Sequence, residues 1–292
     1  MIVYREAETL ARDLGFSIQT LYAVSNSLPR HYHPAELPKR DGTVRHLSVP
    51  DPLLKTIQRR IADRLLPLLP VSPCATAYRC GAGPLRNATP HVGKPLILKL
   101  DIRDFFGSVL YSAVKESAFP AFIYAEPLRV LLTMLCYYDE GLPQGAPSSP
   151  TISNLILRDF DQTVGTWCAR RDITYTRYCD DLTFSGSFDA GEVQAFAGAE
   201  LRSRGFFLNT RKPRLLPADS HGAHRERAPG GAAPAAPETA AGTLLLPALR
   251  CGGAPGPDRA GPAAPGLSPE PSGPGELCAP DRTGTDRGPP MA

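Results

Sequence analysis

Residues 177–184 read Arg-Tyr-Cys-Asp-Asp-Leu-Thr-Phe, two aspartates side by side among strand-forming neighbours. Strands are poor in Asp, and adjacent like charges repel one another. Thr174 to Phe184 therefore reads as a hairpin with Asp180 and Asp181 at its tip, where a cation can neutralise them. An isolated Asp-Asp is more often an ordinary turn, but a second acidic strand end favours the cation. Asp101 closes the apolar strand of LILKLDIRDFF (96–106). If that strand lies beside the hairpin, Asp101, Asp180 and Asp181 converge at one sheet edge. Magnesium prefers hard oxygen ligands and commonly takes one or two carboxylates with water and phosphate. Three carboxylates there suit two Mg²⁺ ions about 3.5–4 Å apart, the arrangement that clamps attacking and leaving oxygens in phosphoryl transfer.

Outward from these strands the pattern is mixed. Glu6 to Leu14 and Ser17 to Ser27 carry apolar residues at helical spacing, with Gly15 between them. PKRDGTVRHLSVP (38–50) reads as a hairpin turning at Asp41-Gly42. Asp51 to Leu69 places Leu54, Ile57, Ile61 and Leu65 on one helical face. Residues 71–94 look like loop, 113–138 like helix broken near Pro120 and Pro127, and 140–150 like loop. A helix over 151–171, another over 191–204 and a last strand over 206–216 complete an α+β pattern with an antiparallel sheet.

The chain has 292 residues and a formal charge of +3. The charge is uneven: between Lys39 and Arg103, twelve Lys or Arg far outnumber the acids, which suits an anionic polymer better than a small metabolite. Seven Cys without a CxxC pair fit reduced thiols. No apolar run has the length of a membrane span, and the N-terminus lacks a signal-peptide core. The expectation is a soluble, cytoplasmic protein without membrane contact.

Three segments together carry a family resemblance. Tyr178-Cys179-Asp180-Asp181 resembles the YxDD box of reverse transcriptases, LDIRDFF (100–106) their first catalytic motif, and GLPQGAPSSPTISN (141–154) their LPQG loop and helix. They stand in the family's order, and the resemblance extends over about residues 30–215. It implies a right-hand polymerase: N-terminal helices over 1–30, fingers over 31–95, and a palm over 96–216 that includes a further fingers portion at about 113–140. By resemblance Asp101, Asp180 and Asp181 are the catalytic metal ligands. Phe106 resembles the aromatic gate under the incoming sugar, while Phe105 suits the core. Gln144 and Gly145 resemble the loop against the template base and nucleotide. Lys39 and Arg45 resemble triphosphate-gripping residues, and Lys212 the lysine near the leaving pyrophosphate. Pro213, where the family usually has Thr, removes a backbone donor and puts the local strand pairing in question.

Asn87-Ala88-Thr89-Pro90-His91 is similar to an NAxxH element of retron reverse transcriptases. Asn87 and His91 are expected either to hydrogen-bond RNA or to cap their loop. The retron resemblance implies a cognate structured noncoding RNA as template and primer, deoxynucleoside triphosphates as substrates, and a branched RNA–DNA product. It also implies a role in anti-phage defence with an effector protein. Intron-type and diversity-generating reverse transcriptases share the same boxes, and an RNA-binding remnant without chemistry is the reading from another class.

The last 72 residues contain 14 Pro, 13 Gly and 15 Ala, and no Phe, Tyr, Trp, Ile, Val or Lys. Such a segment buries too little apolar surface to offset the entropy of ordering, so 217–292 reads as a disordered tail. Retron enzymes carry a Val-Thr-Gly triplet and a helical thumb here. The codons allowed by His221 to Ala228, read one nucleotide further on, can spell Thr-Val-Leu-Thr-Gly-Asn-Val-Leu. The expectation is a frameshift near Ser220 that replaced the thumb.

Overall fold

A computed structural model describes residues 4–38, 42–210 and 213–217. Helices α1 (Ala7–Leu14) and α2 (Ile18–Ser25) meet at Gly15, whose φ of 70° makes it the left-handed cap of α1. Ser17 starts α2, its side chain accepting the Thr20 amide. Strands β1 (Tyr32–Pro38) and β2 (Val44–Pro50) form an antiparallel hairpin that begins six residues earlier than the sequence suggests. Its turn residue Asp41 lies outside the described residues. Helix α3 (Pro52–Arg64) starts where Asp51 accepts the Leu54 amide at 2.8 Å, and it buries Leu54, Ile57 and Ile61. Arg60 and Arg64 donate to the carbonyls of Asp13, Leu14 and Gly15, so these basic residues tie α3 to the end of α1.

The stretch 71–94 is more ordered than its composition suggests. Residues 74–76 run alongside residue 177, and the short helix α4 (Pro84–Ala88) continues into a tight turn through His91. Strand β3 (Leu96–Asp101) is shorter than the expected 96–106. After Ile102 the chain coils into turns, with Asp104 at a φ of 43°. Helices α5 (Tyr111–Ala118) and α6 (Glu126–Cys136) are separated by Pro120, whereas Pro127 opens α6 rather than breaking it. The expected helix over 151–171 is two: α7 (Ser149–Ile156) and α8 (Arg158–Ala169), interrupted at Leu157 with a ψ of 6°.

Strands β4 (Thr174–Tyr178) and β5 (Asp181–Gly186) form the expected hairpin, followed by α9 (Ala190–Arg202) with Asp189 as its cap. Strand β6 is confined to Arg214–Pro217, and Leu208 makes only an isolated bridge to Ile102. Pairing with β3 begins immediately after Pro213, so the proline does not prevent the strand. The four strands form one antiparallel sheet in the order β4-β5-β3-β6.

Strand alternation sorts the sheet's side chains. Leu98, Leu100, Leu182, Phe184 and Tyr175 are buried on the face against which α8 packs. Asp101, Lys99 and Ile97 point to the other face. Among the described residues no helix is long and apolar enough to cross a membrane. Among the described residues Cys74, Cys136, Cys168 and Cys179 are free thiols. The 218–292 segment, with the expected tail and frameshift, lies outside the described residues.

Candidate active site

The register of β3 against β5 sets Asp101 directly opposite Asp181. Opposed Cα atoms in such a ladder are about 4.5–5.5 Å apart, close enough for like charges to destabilise the pair unless something neutralises them. Asp180 occupies the turn of the β4–β5 hairpin, and its carbonyl accepts the Ile102 amide at 3.1 Å. The three carboxylates that the sequence singles out therefore come from adjacent backbone positions at one sheet edge. Burial pushes the Asp180 carboxyl above its ordinary range. Its own backbone amide pulls it back, the nearby Asp101 charge adds to the rise, and the Cys179 thiol and Arg45 oppose it.

The donor chemistry here fits a hard divalent cation: two facing carboxylates, Asp101 and Asp181, and beside them Asp180, desolvated and pressed by the Asp101 charge. The side chains are not drawn into a ready cage. Among the described residues no group of three or more His, Cys, Asp or Glu side chains is arranged to hold a metal ion. One carboxylate oxygen of Asp101 accepts the Asn209 side-chain amide at 2.8 Å, while the Asn209 backbone amide donates to the Asp101 carbonyl at 2.7 Å. Asn209, which sequence reasoning missed, thus fixes Asp101 from both ends.

The hairpin turn is held from beneath by a buried network. Cys179 has a φ of 59°, a left-handed conformation unusual outside glycine. Its carbonyl accepts from Arg177 Nη1 at 2.9 Å, and the same nitrogen donates to Asn154 Oδ1 at 3.1 Å. Arg177 Nε and Nη2 reach both oxygens of Asp161, at 2.9 and 2.7 Å, a bidentate pair with both side chains at 0 % exposure. Tyr175 adds a hydroxyl donor to Asp161 at 2.8 Å. Asn154 in turn donates to the Ala77 carbonyl, so the SPTISN helix is wired to the hairpin. The Tyr78 hydroxyl donates to Cys179 Sγ at 3.2 Å, and burial raises that thiol to about 12, keeping it protonated. The signal for this network was an Arg within a strand, a charge out of place in a core.

The remaining candidates surround the carboxylates unequally. Arg45 is exposed on β2 and close enough for its charge to act on Asp180. Phe106 is half-buried and edge-on to Phe105, which at 2 % exposure belongs to the core as expected. The 141–147 loop is pinned between two segments: the Leu142 amide donates to the Phe106 carbonyl, and the Ser48 amide to the Gln144 carbonyl, each at 2.9 Å. A Cβ on Gly145 would stand 2.9 Å from the Ser48 carbonyl oxygen. The close approach that requires glycine here is to β2, and φ of 125° demands it as well. Lys39 and Lys212 lie outside the described residues.

Asn87 and His91 turn inward. His91 is 5 % exposed, with Nδ1 bonded to Ser185 Oγ at 2.6 Å and Nε2 to Thr176 Oγ1 at 2.7 Å. Asn87 Oδ1 accepts from Thr76 and Thr176 at 2.7 and 2.8 Å. Of the two expected roles, the geometry takes loop fixing over RNA contact for His91, because both ring nitrogens are engaged within the protein.

Residues 37–219 match the family model described as reverse transcriptase (RNA-dependent DNA polymerase). The Retron Mx65 reverse transcriptase of Myxococcus xanthus is 36% identical over 237 residues, 73% of this chain and 55% of that protein. The Retron Mx162 reverse transcriptase of the same organism is 35% identical over 61% of this chain and 41% of its own length. The Retron Ec86 reverse transcriptase of Escherichia coli is 31% identical over 72% of this chain and 67% of its own. The chain thus spans about half the length of the first two relatives.

Proposed function

Because the chain belongs to the reverse transcriptase family, we propose that it is an RNA-directed DNA polymerase of the retron type. It would copy a cognate structured noncoding RNA into DNA. The observation that carries this reading is the β3–β5 register, which faces Asp101 with Asp181 and leaves Asp180 at the adjoining turn. Asp101, Asp180 and Asp181 would hold two Mg²⁺ ions, which when bound lower the charge barrier between an attacking hydroxyl and a triphosphate. Residues of the chain prepare the rest. Arg45, with Lys39, binds the triphosphate, since a guanidinium fork suits phosphate oxygens. Phe106 stacks beneath the incoming sugar and excludes a 2′-hydroxyl. Gln144 and Gly145 line the template side, and Lys212 lies near the departing pyrophosphate. Fingers over 31–95 and about 113–140, and a palm over 96–216, carry these groups.

In the retron reading the RNA primes synthesis from an internal 2′-hydroxyl, giving a branched RNA–DNA product. The system acts in the cytoplasm, in anti-phage defence beside an effector protein. The direct test is extension of a primed RNA template with Mg²⁺ and deoxynucleotides, comparing the chain with Asp180→Ala. Loss of incorporation only in the variant supports the proposal, and equal incorporation by both ends it.

A further inference from the structure

One face of the central sheet carries two cations immediately behind the carboxylates. Lys99 lies two residues before Asp101 on β3, so both side chains leave the same face, about 6.5–7 Å apart along the strand. The β3–β6 register places Arg214 directly across from Lys99, and its side chain leaves that face too. Lys99 is half-buried and Arg214 exposed. Neither has a carboxylate within ion-pair distance among the described residues, whereas the buried Arg129 and Arg177 are both paired. Two cations facing each other at one register position repel, and a bound phosphate would relieve that repulsion.

The location says which anion. On β5 the same face is closed: Thr183 and Ser185 are buried, and His91 sits over Ser185 and Thr176. Among the described residues the open half of the face is the β3–β6 half, where Arg214 is exposed. Arg45 is close enough for its charge to act on Asp180, and Phe106 with the 141–147 loop follows the carboxyl end of β3, whereas Lys99 precedes Asp101. An incoming nucleotide held there has no need of Lys99 and Arg214. What passes over them is a chain leading away from the reacting end. Burial, and then the charges of Lys99 and Lys94, hold the His91 ring neutral, consistent with positive potential along this strip.

Resting on the polymerase reading above, we infer that Lys99 and Arg214 grip the sugar–phosphate backbone of the primer strand, just behind the nucleotide whose hydroxyl attacks. Lys99 supplies a point charge and Arg214 a fork, and neither reads base identity. The site gives register to the strand end without sequence preference.

The test is the salt dependence of binding a fluorescent RNA-template/DNA-primer hybrid to the full chain, with Lys99→Gln, Arg214→Gln and the double variant. Each lost phosphate contact lowers the slope of log affinity against log salt by about 0.7–0.9. Each single variant is expected to do so and to bind several-fold more weakly at low salt, the double variant to lose about twice as much slope, and Lys99→Arg to restore the wild-type slope. The KM for deoxynucleotide, measured at saturating hybrid, stays within twofold. Unchanged slopes in folded variants, with wild type still extending primers, overturn this inference alone. A rise in nucleotide KM with an unchanged slope reassigns the cations to the triphosphate and also overturns it. Failure of the wild type to bind or extend any hybrid overturns the polymerase reading with it.

Discussion

Replacing Arg177 with Met tests whether the acidic turn is held by the network beneath it. The substitution removes four hydrogen bonds at once: two to Asp161, one to Asn154 and one to the Cys179 carbonyl. Asp161 keeps only the Tyr175 hydroxyl among the side-chain partners described above, and remains a fully buried carboxylate without its counter-charge. Breaking a buried pair by removing one partner costs about 3–5 kcal/mol, because the surviving charge is uncompensated. For a folded region of this size each kcal/mol moves Tm by about 2–4 °C, so the midpoint should fall by roughly 6–20 °C. Thermal unfolding followed by circular dichroism reads this directly. The double change Arg177→Met with Asp161→Leu removes both charges and should recover most of the midpoint, since apolar replacement of a buried pair is often neutral. Nucleotide incorporation should nevertheless stay low, because the Cys179 carbonyl has still lost its donor and the strained turn its brace. A single variant that loses less than about 1 kcal/mol, or a double variant that regains full incorporation, would refute the claim that this pair positions Asp180 and Asp181.

Asn209→Ala frees one oxygen of Asp101 from a charge-assisted bond of about 1.5 kcal/mol, so incorporation should slow about tenfold with nucleotide KM nearly unchanged; unaltered turnover would dismiss its orienting role. Gly145→Ala forces a Cβ against the Ser48 carbonyl at a φ of 125°, and should cost more than about 1 kcal/mol of unfolding free energy, with weaker nucleotide binding; a neutral result would mean that the loop shifts freely. Burial, helped by Lys99 and Lys94, lowers His91 from 6.5 to about 4 in the folded protein. The unfolded chain then takes up the proton first, so stability is complete above pH 6.5 and declines as pH falls towards 4. The loss is on the order of 2–3 kcal/mol. Comparing unfolding across that window with His91→Gln, which lacks the titration, should show a shallower decline in the variant, and identical pH profiles would contradict it.

The parts legible in the sequence were those where local chemistry conflicts with its surroundings. Two Asp in a strand context and an Asp ending an apolar strand predicted a shared edge, and the β3–β5 register puts Asp101 opposite Asp181. Periodicity located nearly every helix, because apolar spacing is a local property, while boundaries shifted wherever tertiary bonds intervened. The expected 96–106 strand stops at Asp101 since Asp104 and the following turns bend the chain back to meet the 141–147 loop. What the sequence concealed was the set of partners. Asn209 lies 108 positions from Asp101, Tyr78 lies 101 from Cys179, and His91 lies 94 from Ser185. No pattern of spacing encodes such pairs. His91 shows the consequence: its motif left RNA contact and loop capping both open, and only the two hydroxyls on neighbouring strands, which take both nitrogens, separate them. A strand that keeps an arginine at a core-facing position must surround it with acceptors, and those acceptors lie on α7, on α8 and in the acidic turn itself. The adjacent aspartates sit in a turn that the fold braces from below, through the Arg177 bond to the Cys179 carbonyl.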